Sequence, residues 1–171
     1  MTSNILIDSS SSQRRWIEIA LEYLPQDVKA DEKCSLSIIA LGDMGACRLP
    51  PSYREREVIF LSDWLFPPPG VSEADDAGIF FITTVLHEIA HAFCRHKSPS
   101  LDALSSDQIQ SQEDEADKIA VTWFNSYIDE ANNQYLEKIE ETRLRELVEQ
   151  FAVLYNMFEK SKESWHQKIN T

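Results

Sequence analysis

The stretch from residue 79 to residue 93, IFFITTVLHEIAHAF, places apolar side chains around almost the whole circumference of a helix. A helix that is apolar on nearly every side is a buried helix, so this segment predicts the central helix of the fold. We expect the helix to extend from about residue 76 to about residue 96. Asp75 and Asp76 are then favourably placed at its N-terminal end, where the helix dipole is positive.

Two histidines and a glutamate interrupt this apolar segment. His87 and His91 are four residues apart, so on a helix they lie about 40° and one turn apart, and their imidazoles face one point. Neutral imidazoles are good zinc ligands, and Glu88, about 60° further round, can face the open side of a metal without binding it. Burying these groups without partners would be costly, and a bound cation removes that cost. The pattern therefore favours a metal site over histidines that are satisfied within an ordinary core helix.

A catalytic zinc site needs a third protein ligand. His96 is near in sequence, but on the same helix it would point about 140° away from His91, so we do not expect it to bind the metal. The next predicted helix contains EDEADKIAVTWFNSYI, residues 113–128. Its helical phase places Glu113 on the apolar face and Glu115 about 200° away, on the wet face. Glu113 is therefore the predicted third ligand, and Glu115 is the alternative.

Asp117 lies one turn beyond Glu113 and about 40° from it, on the same apolar face. A carboxylate in this position can accept the other ring N–H of a zinc-bound histidine, which fixes the tautomer and raises the basicity of that ligand. Cys94 lies on roughly the same face as His87 and could instead be a nucleophile beside a histidine. A cysteine on an apolar helix usually acts as a small hydrophobic residue, so we favour the metal site.

The sequence before the central helix predicts one helix and a small sheet. Residues 13–24 have helical spacing, and Pro25 ends that helix. Residues 34–41 and 57–66 are predicted strands, and ACRLPP between them is a short extended piece because its prolines lack N–H donors.

The sequence after the central helix is predicted to be helical. A polar loop over residues 97–107 ends in a capping box, Ser-Ser-Asp-Gln, which opens a helix that ends near residue 131. A last amphipathic helix follows over about residues 135–159. We therefore expect one α+β domain over residues 1–171, with residues 1–12 frayed.

The charge balance restricts the partners of the chain. The sequence has 29 Asp and Glu residues against 16 Lys and Arg residues, a net charge of −13, which argues against nucleic acid or an anionic membrane surface as a partner. No apolar stretch has the length of a membrane span, and the first residues lack the pattern of a secretory signal. Three cysteines without metal-ligand spacing are typical of reduced thiols, so we expect a cytoplasmic protein.

Two motifs of the chain together resemble those of a known group of metallopeptidases. HEIAH is followed, one loop and one helix later, by an E-x-x-A-D run formed by Glu113, Ala116 and Asp117. This combination is similar to that of the glutamate zincins, or gluzincins. Within that group, the chain resembles in its small size the minimal gluzincins and the ImmA/IrrE-like metallopeptidases. The matched motifs cover about residues 78–128.

The resemblance implies a minimal zincin fold and a zinc-dependent endopeptidase. It implies one Zn²⁺ per chain, bound by His87, His91 and Glu113, with Glu88 as the general base. It also implies that residues 57–66 form an edge strand above the active-site helix, along which a protein or peptide substrate would add as an extra strand.

Two other functions stay open on the sequence. We find no matched Tyr or His in the C-terminal helices to stabilise an oxyanion, so the chain could be a regulatory, protein-binding module that keeps the zincin fold and cleaves little. It could also be a latent peptidase whose cleft is occluded by its own C-terminal segment. The intact Glu88 favours an enzyme, because metal binding alone does not require that residue.

Overall fold

A computed structural model describes residues 5–30, 35–40, 47–49, 57–99, 102–131 and 135–169. Within these residues the chain has the predicted α+β architecture. The strands are β1 (Ile5–Asp8), β2 (Leu36–Ala40), β3 (Cys47–Leu49) and β4 (Glu57–Leu61). The helices are α1 (Ser11–Glu22), α2 (Gln26–Ala30), α3 (Asp76–Cys94), α4 (Ser106–Ala131) and α5 (Glu141–Ile169).

The four strands form one mixed sheet in the order β1-β2-β4-β3. β2 lies parallel to both β1 and β4, and β3 pairs antiparallel with β4. Ile38 of β2 lies opposite Ile59 of β4, and both side chains are fully buried. The core lies where α3 meets the sheet, α1 and α4.

The expectation that residues 1–12 are frayed is wrong for residues 5–12. Ile5–Asp8 pair with β2, and the side chains of Ile5 and Ile7 pack against the core from alternate positions of the strand. Ser10 N–H donates to Gln13 Oε1 (3.1 Å), and α1 begins at the next residue. The serine-rich composition concealed a strand with a period-2 apolar pattern and a helix start.

The prediction that residues 57–66 form an edge strand is also wrong. β4 ends at Leu61, a short 3-10 helix follows over Asp63–Leu65, and β3 covers the side of β4 that faces away from β2. Val58, Ile59 and Leu61 are all buried. Such a nearly continuous apolar run is typical of a strand inside a sheet, whereas an edge strand usually alternates with polar residues. β3 forms the edge on this side of the described sheet.

Helix α3 is the buried central helix that the sequence predicted. Contrary to the expectation that no apolar stretch has the length of a membrane span, α3 is long and apolar enough to cross a membrane, but 61% of the stretch that qualifies is buried inside the fold. Phe81, Leu86 and Ile89 are completely buried, and Trp16 of α1 packs edge-on against Phe81 with ring centroids 5.9 Å apart. This burial is typical of the core helix of a folded domain.

Residues 135–140, which the structure describes between the two C-terminal helices, are not helical. The predicted capping box opens α4, because Gln108 N–H donates to Ser105 Oγ and Ser105 N–H donates to Gln108 Oε1. α5 begins at Glu141 rather than near residue 135. Asn125 explains the difference, since its amide accepts from Ile139 N–H and donates to Ile139 C=O (3.0 and 2.8 Å). The backbone of Ile139 is thereby satisfied without a helix.

The first part of α5 packs on the core. Leu144 and Leu147 are buried, and Phe151 stacks on Phe80 of α3 with ring centroids 4.3 Å apart. Arg143 Nη2 lies 2.6 Å from Asp76 Oδ1 at the start of α3. α5 is therefore fixed against α3 by both apolar and ionic contacts.

Candidate metal centre

The structure brings the three predicted metal ligands together. His87 and His91 lie on successive turns of α3, and Glu113 faces them from α4. The Nε2 atoms of the two histidines are 2.9 Å apart. Glu113 places one carboxylate oxygen 3.2 Å from His87 Nε2 and the other 3.6 Å from His91 Nε2. Donor atoms of all three residues lie within 4.8 Å of one another, as the ligands of a single metal ion must.

Asp117 also lies where the helical phase of α4 predicted. Its Oδ1 is 2.8 Å from His87 Nδ1, on the side of the ring that faces away from Glu113. The Asp117 side chain is 17% exposed, compared with 43% for Glu113. Glu113 therefore lies at the open end of the site, and Asp117 lies behind the His87 ring.

His96 lies beside His91, contrary to the expected angle of about 140° between them. The two Nδ1 atoms are 2.8 Å apart. The expectation assumed that α3 continues to His96, whereas α3 ends at Cys94 and Arg95 has a left-handed backbone with φ = 55°. This turn brings His96 back along the helix. No glycine marks the turn, so the sequence carried no helix-end signal of the usual kind.

Glu115 has a partner that sequence reasoning missed. Its side chain is 58% exposed, as expected for the wet face of α4, but its Oε2 lies 3.1 Å from His96 Nε2. Cys94, His96 and Glu115 also place donor atoms within 4.8 Å of one another. Glu115 is thus linked to His91 through His96 rather than placed at the His87–His91–Glu113 cluster.

The hydrogen-bond pattern assigns the ring protons. Asp117 can only accept when it is ionised, so His87 Nδ1 donates to it, and His87 Nε2–H then points at Glu113 and at His91 Nε2. His91 Nε2 accepts, which leaves its Nδ1–H to donate to His96 Nδ1. Both histidines therefore use Nδ1 for an outward contact and direct Nε2 at the shared point. This donor set fits zinc, which binds neutral imidazoles whose other N–H is held by a partner.

The pKa values of the two histidines move in opposite directions. Burial works to lower the pKa of His87, but hydrogen bonds with Asp117 and Glu113 and the charge of Glu88 outweigh it and raise the pKa to about 10. Burial lowers the pKa of His91, and together with the charge of His87 it outweighs the contact with Glu113, which works to raise that pKa. The hydrogen bond from His87 Nε2–H is the largest of the effects that hold the pKa of Glu113 well below its usual range. At neutral pH the metal-free site therefore holds a protonated His87 beside a neutral His91.

A cleft opens beside Glu88. Its volume is about 430 Å³, and its walls come from α3, α4, α5 and the turn at Trp64–Leu65. His87, Glu88 and Glu113 lie on the α3 and α4 walls, and Arg145 lies on the α5 wall. A larger cavity of about 800 Å³ lies between α1 and residues 66–73, and none of the candidate ligands lines it. The group of candidate ligands is therefore open to solvent on one side, through this cleft.

Comparison with protein families places this chain in a known group. The profile of the Peptidase U49 family matches residues 77–170, from the start of α3 to the end of α5. This is more than half of the 171 residues. The chain belongs to the Peptidase U49 family. The matched region of this U49 member contains the whole candidate centre, including Glu88 and the cleft wall formed by α5.

The comparison with curated proteins and the comparison with solved structures find no match to this U49 chain. The family establishes the chain as a member of a peptidase group.

The opposite pKa shifts generate a test of the metal-free site. Site-specific NMR titration of the imidazole signals of metal-free protein should give His87 a midpoint near pH 10 and His91 a midpoint below its usual value. His87 should therefore be charged, and His91 neutral, between pH 7 and pH 9. Two midpoints near the ordinary histidine value of about 6.5 would contradict the contacts described here.

Proposed function

We propose that this member of the Peptidase U49 family is a zinc-dependent endopeptidase of the gluzincin type. One zinc ion per chain would be held by His87 Nε2, His91 Nε2 and the carboxylate of Glu113. The observation that carries the proposal is the convergence of these three donors while both Nδ1 atoms are held from outside. Two histidines and an acid are a set of protein ligands that catalytic zinc uses, with one position left for the reaction.

Glu88 is the proposed general base. It follows His87 on α3 and lines the same cleft, so its carboxylate lies beside the proposed metal position. Zinc, when bound, acts as a Lewis acid that activates a water molecule and polarises the scissile carbonyl group. Glu88 would take a proton from that water molecule as its oxygen forms a bond to the carbonyl carbon. It would then give the proton to the leaving nitrogen as the peptide bond breaks.

We propose that a peptide or protein substrate adds along β3 rather than along residues 57–66. β4 is paired on both sides, whereas β3 is at the edge of the described sheet and contacts α3. An extended peptide can pair with such an edge by backbone hydrogen bonds. Arg145 lines the cleft, and its positive charge would stabilise the oxyanion there. The C-terminal helices have no matched Tyr or His for this role.

The latent-peptidase alternative is favoured by one observation. Leu144, Arg145, Val148 and Glu149 of α5 line the cleft beside Glu88. Arg145 also lies 3.1 Å from Asp114 and 3.9 Å from Asp117, so α5 is linked to the ligand helix by charge. Movement of α5 would then widen the cleft and change the surroundings of the site together.

The ligand assignment predicts a difference between neighbouring acids of α4. The purified protein should hold one zinc per chain, and Glu113→Ala should lose most of its zinc affinity because one of three ligands is removed. Asp114→Ala is the matched control, since Asp114 is next in the chain but contacts Arg145 and Gln110 instead of the histidines. Competition with a chromophoric chelator measures both affinities. A parent protein that takes up no zinc, or equal losses in the two variants, would exclude this ligand set.

The proposed mechanism predicts that Glu88→Gln separates metal binding from cleavage. Glutamine keeps the size and shape of the side chain but cannot accept the proton, so peptide cleavage should fall by about a hundredfold or more while zinc affinity stays at the parent level. A proteome-wide search for new protein termini supplies a substrate for the rate measurement.

Equal cleavage rates for Glu88→Gln and the parent would show that Glu88 is not the base. If the parent cleaves nothing, the same assay on a variant with Leu144→Ala and Phe151→Ala, which removes apolar contacts of α5 with the core and keeps Arg145, tests the latent form. Absence of cleavage in that variant as well would favour the protein-binding module.

A further inference from the structure

His91 has an outer partner that is itself held by a charged residue. We infer that His96, fixed by Glu115, is a positioning residue that sets the tautomer and orientation of the His91 imidazole, and so directs His91 Nε2 at the metal. This inference rests on the proposed metal site and adds two residues to it. It assigns to His96 and Glu115 the effect on His91 that Asp117 has on His87.

The contacts form a continuous path from the surface to the metal ligand. Glu115 Oε2 lies 3.1 Å from His96 Nε2, and His96 Nδ1 lies 2.8 Å from His91 Nδ1. A neutral His96 with its proton on Nε2 donates to Glu115 and accepts at Nδ1 from His91. The His96 side chain is only 6% exposed, so water has little access to these contacts. The His91 ring is thereby held with its proton on Nδ1 and its Nε2 free of a proton.

The backbone places His96 for this contact. Arg95 has the left-handed conformation, which residues other than glycine adopt at an energetic cost. After this turn, His96 N–H donates to His91 C=O at 3.0 Å. His96 is therefore anchored to the backbone of the same residue whose ring it contacts. A flexible helix end would not hold two imidazoles in this way.

Two further hydrogen bonds tie this segment to the ligand helix. Lys97 N–H donates to Gln112 Oε1 (2.8 Å), and Gln112 Nε2 donates to Lys97 C=O (3.1 Å). Gln112 directly precedes Glu113, so the segment that carries His96 and the third ligand are held to each other. The arrangement of the His96 ring is thus coupled to the position of α4.

The helical phase of α4 explains why His96 is needed. Glu113 and Asp117 share the inner face of α4 and contact the histidines directly. Glu115 lies on the other side of the helix and contacts the far nitrogen of His96. His96 therefore links an outer carboxylate to His91. Such outer partners raise the basicity of a ligating imidazole and commonly affect metal affinity by about ten- to a hundredfold.

The test compares zinc affinities of His96→Ala, Glu115→Ala and the double variant by chelator competition, with circular dichroism to verify the fold. His96→Ala should weaken zinc binding by about ten- to a hundredfold. Glu115→Ala should give a smaller loss, because it acts one residue further from the metal. In the His96→Ala background, Glu115→Ala should give no additional loss, since its effect passes through His96.

Two matched variants serve as controls. Asp114→Ala removes a neighbouring exposed acid that contacts Arg145 and Gln110, and it should keep parent affinity. Cys94→Ser should also keep parent affinity, because the inference gives the thiol no role. If His96→Ala does not fold, the difference between Glu115→Ala and Asp114→Ala decides the question, since both positions are exposed.

Parent zinc affinity in a folded His96→Ala variant would overturn the inference, as would a Glu115→Ala loss that persists in the double variant. A second zinc in the parent that disappears in His96→Ala and in Cys94→Ser, with the first zinc unaffected, would overturn it too. That result would make Cys94, His96 and Glu115 a metal site of their own.

A readout on metal-free protein separates this inference from the proposed function. The ¹⁵N shifts of the His91 ring report which nitrogen carries the proton. They should show the Nδ1–H tautomer in the parent, and the Nδ1 signal should shift in His96→Ala because that N–H loses its acceptor. If the parent binds no zinc, the proposed function fails while this readout still decides the role of His96. A parent His91 with its proton on Nε2 would overturn the inference.

Discussion

Two imidazoles and a carboxylate meet in the interface between α3 and α4, and the surrounding structure gives each of them a partner. A buried polar group without a partner costs about 1–3 kcal/mol, so a cluster of this kind on an apolar helix must be satisfied in full. Asp117 holds the outward nitrogen of His87, and His96 holds that of His91. The inward nitrogens are satisfied by Glu113 and by the proton that the metal-free site keeps on His87. This proton lies among His87 Nε2, His91 Nε2 and the Glu113 carboxylate, which are the atoms that would bind a metal ion.

The packing around the cluster explains why its geometry is fixed. α3 is buried along most of its length, and the core residues that surround it leave its rotation no freedom. α4 is held at both ends of the site, by the hydrogen bonds between Gln112 and Lys97 and by those between Asn125 and Ile139. α5 covers α3 through Phe151 and the cleft through Arg145. The helices that carry the cluster are thus held by core packing and by hydrogen bonds, and α5, which forms one wall of the cleft, is fixed against α3 by apolar and ionic contacts.

The parts of the site that follow helical phase were predictable from the sequence. The positions of His87, His91, Glu113 and Asp117 need only regular helices and an apolar stripe, and both conditions hold. The position of His96 was not predictable in this way, because it depends on a left-handed turn at Arg95, a residue that gives no such signal. The edge of the sheet was missed for another reason. The order of the strands in a sheet depends on tertiary pairing. The family resemblance implied that residues 57–66 form an edge strand, whereas the apolar run of β4 is typical of an interior strand, which is what the structure shows.

The central claim is that His87, His91 and Glu113 bind one metal ion, and a crystal of zinc-loaded protein tests it most directly. Diffraction data collected on both sides of the zinc absorption edge should show one anomalous peak, about 2.0–2.2 Å from His87 Nε2, His91 Nε2 and a Glu113 oxygen. His91 Nδ1 should stay in contact with His96 in that crystal. A peak between Cys94, His96 and Glu115 instead, or a fully zinc-exposed crystal without a peak at the three predicted ligands, would contradict the account.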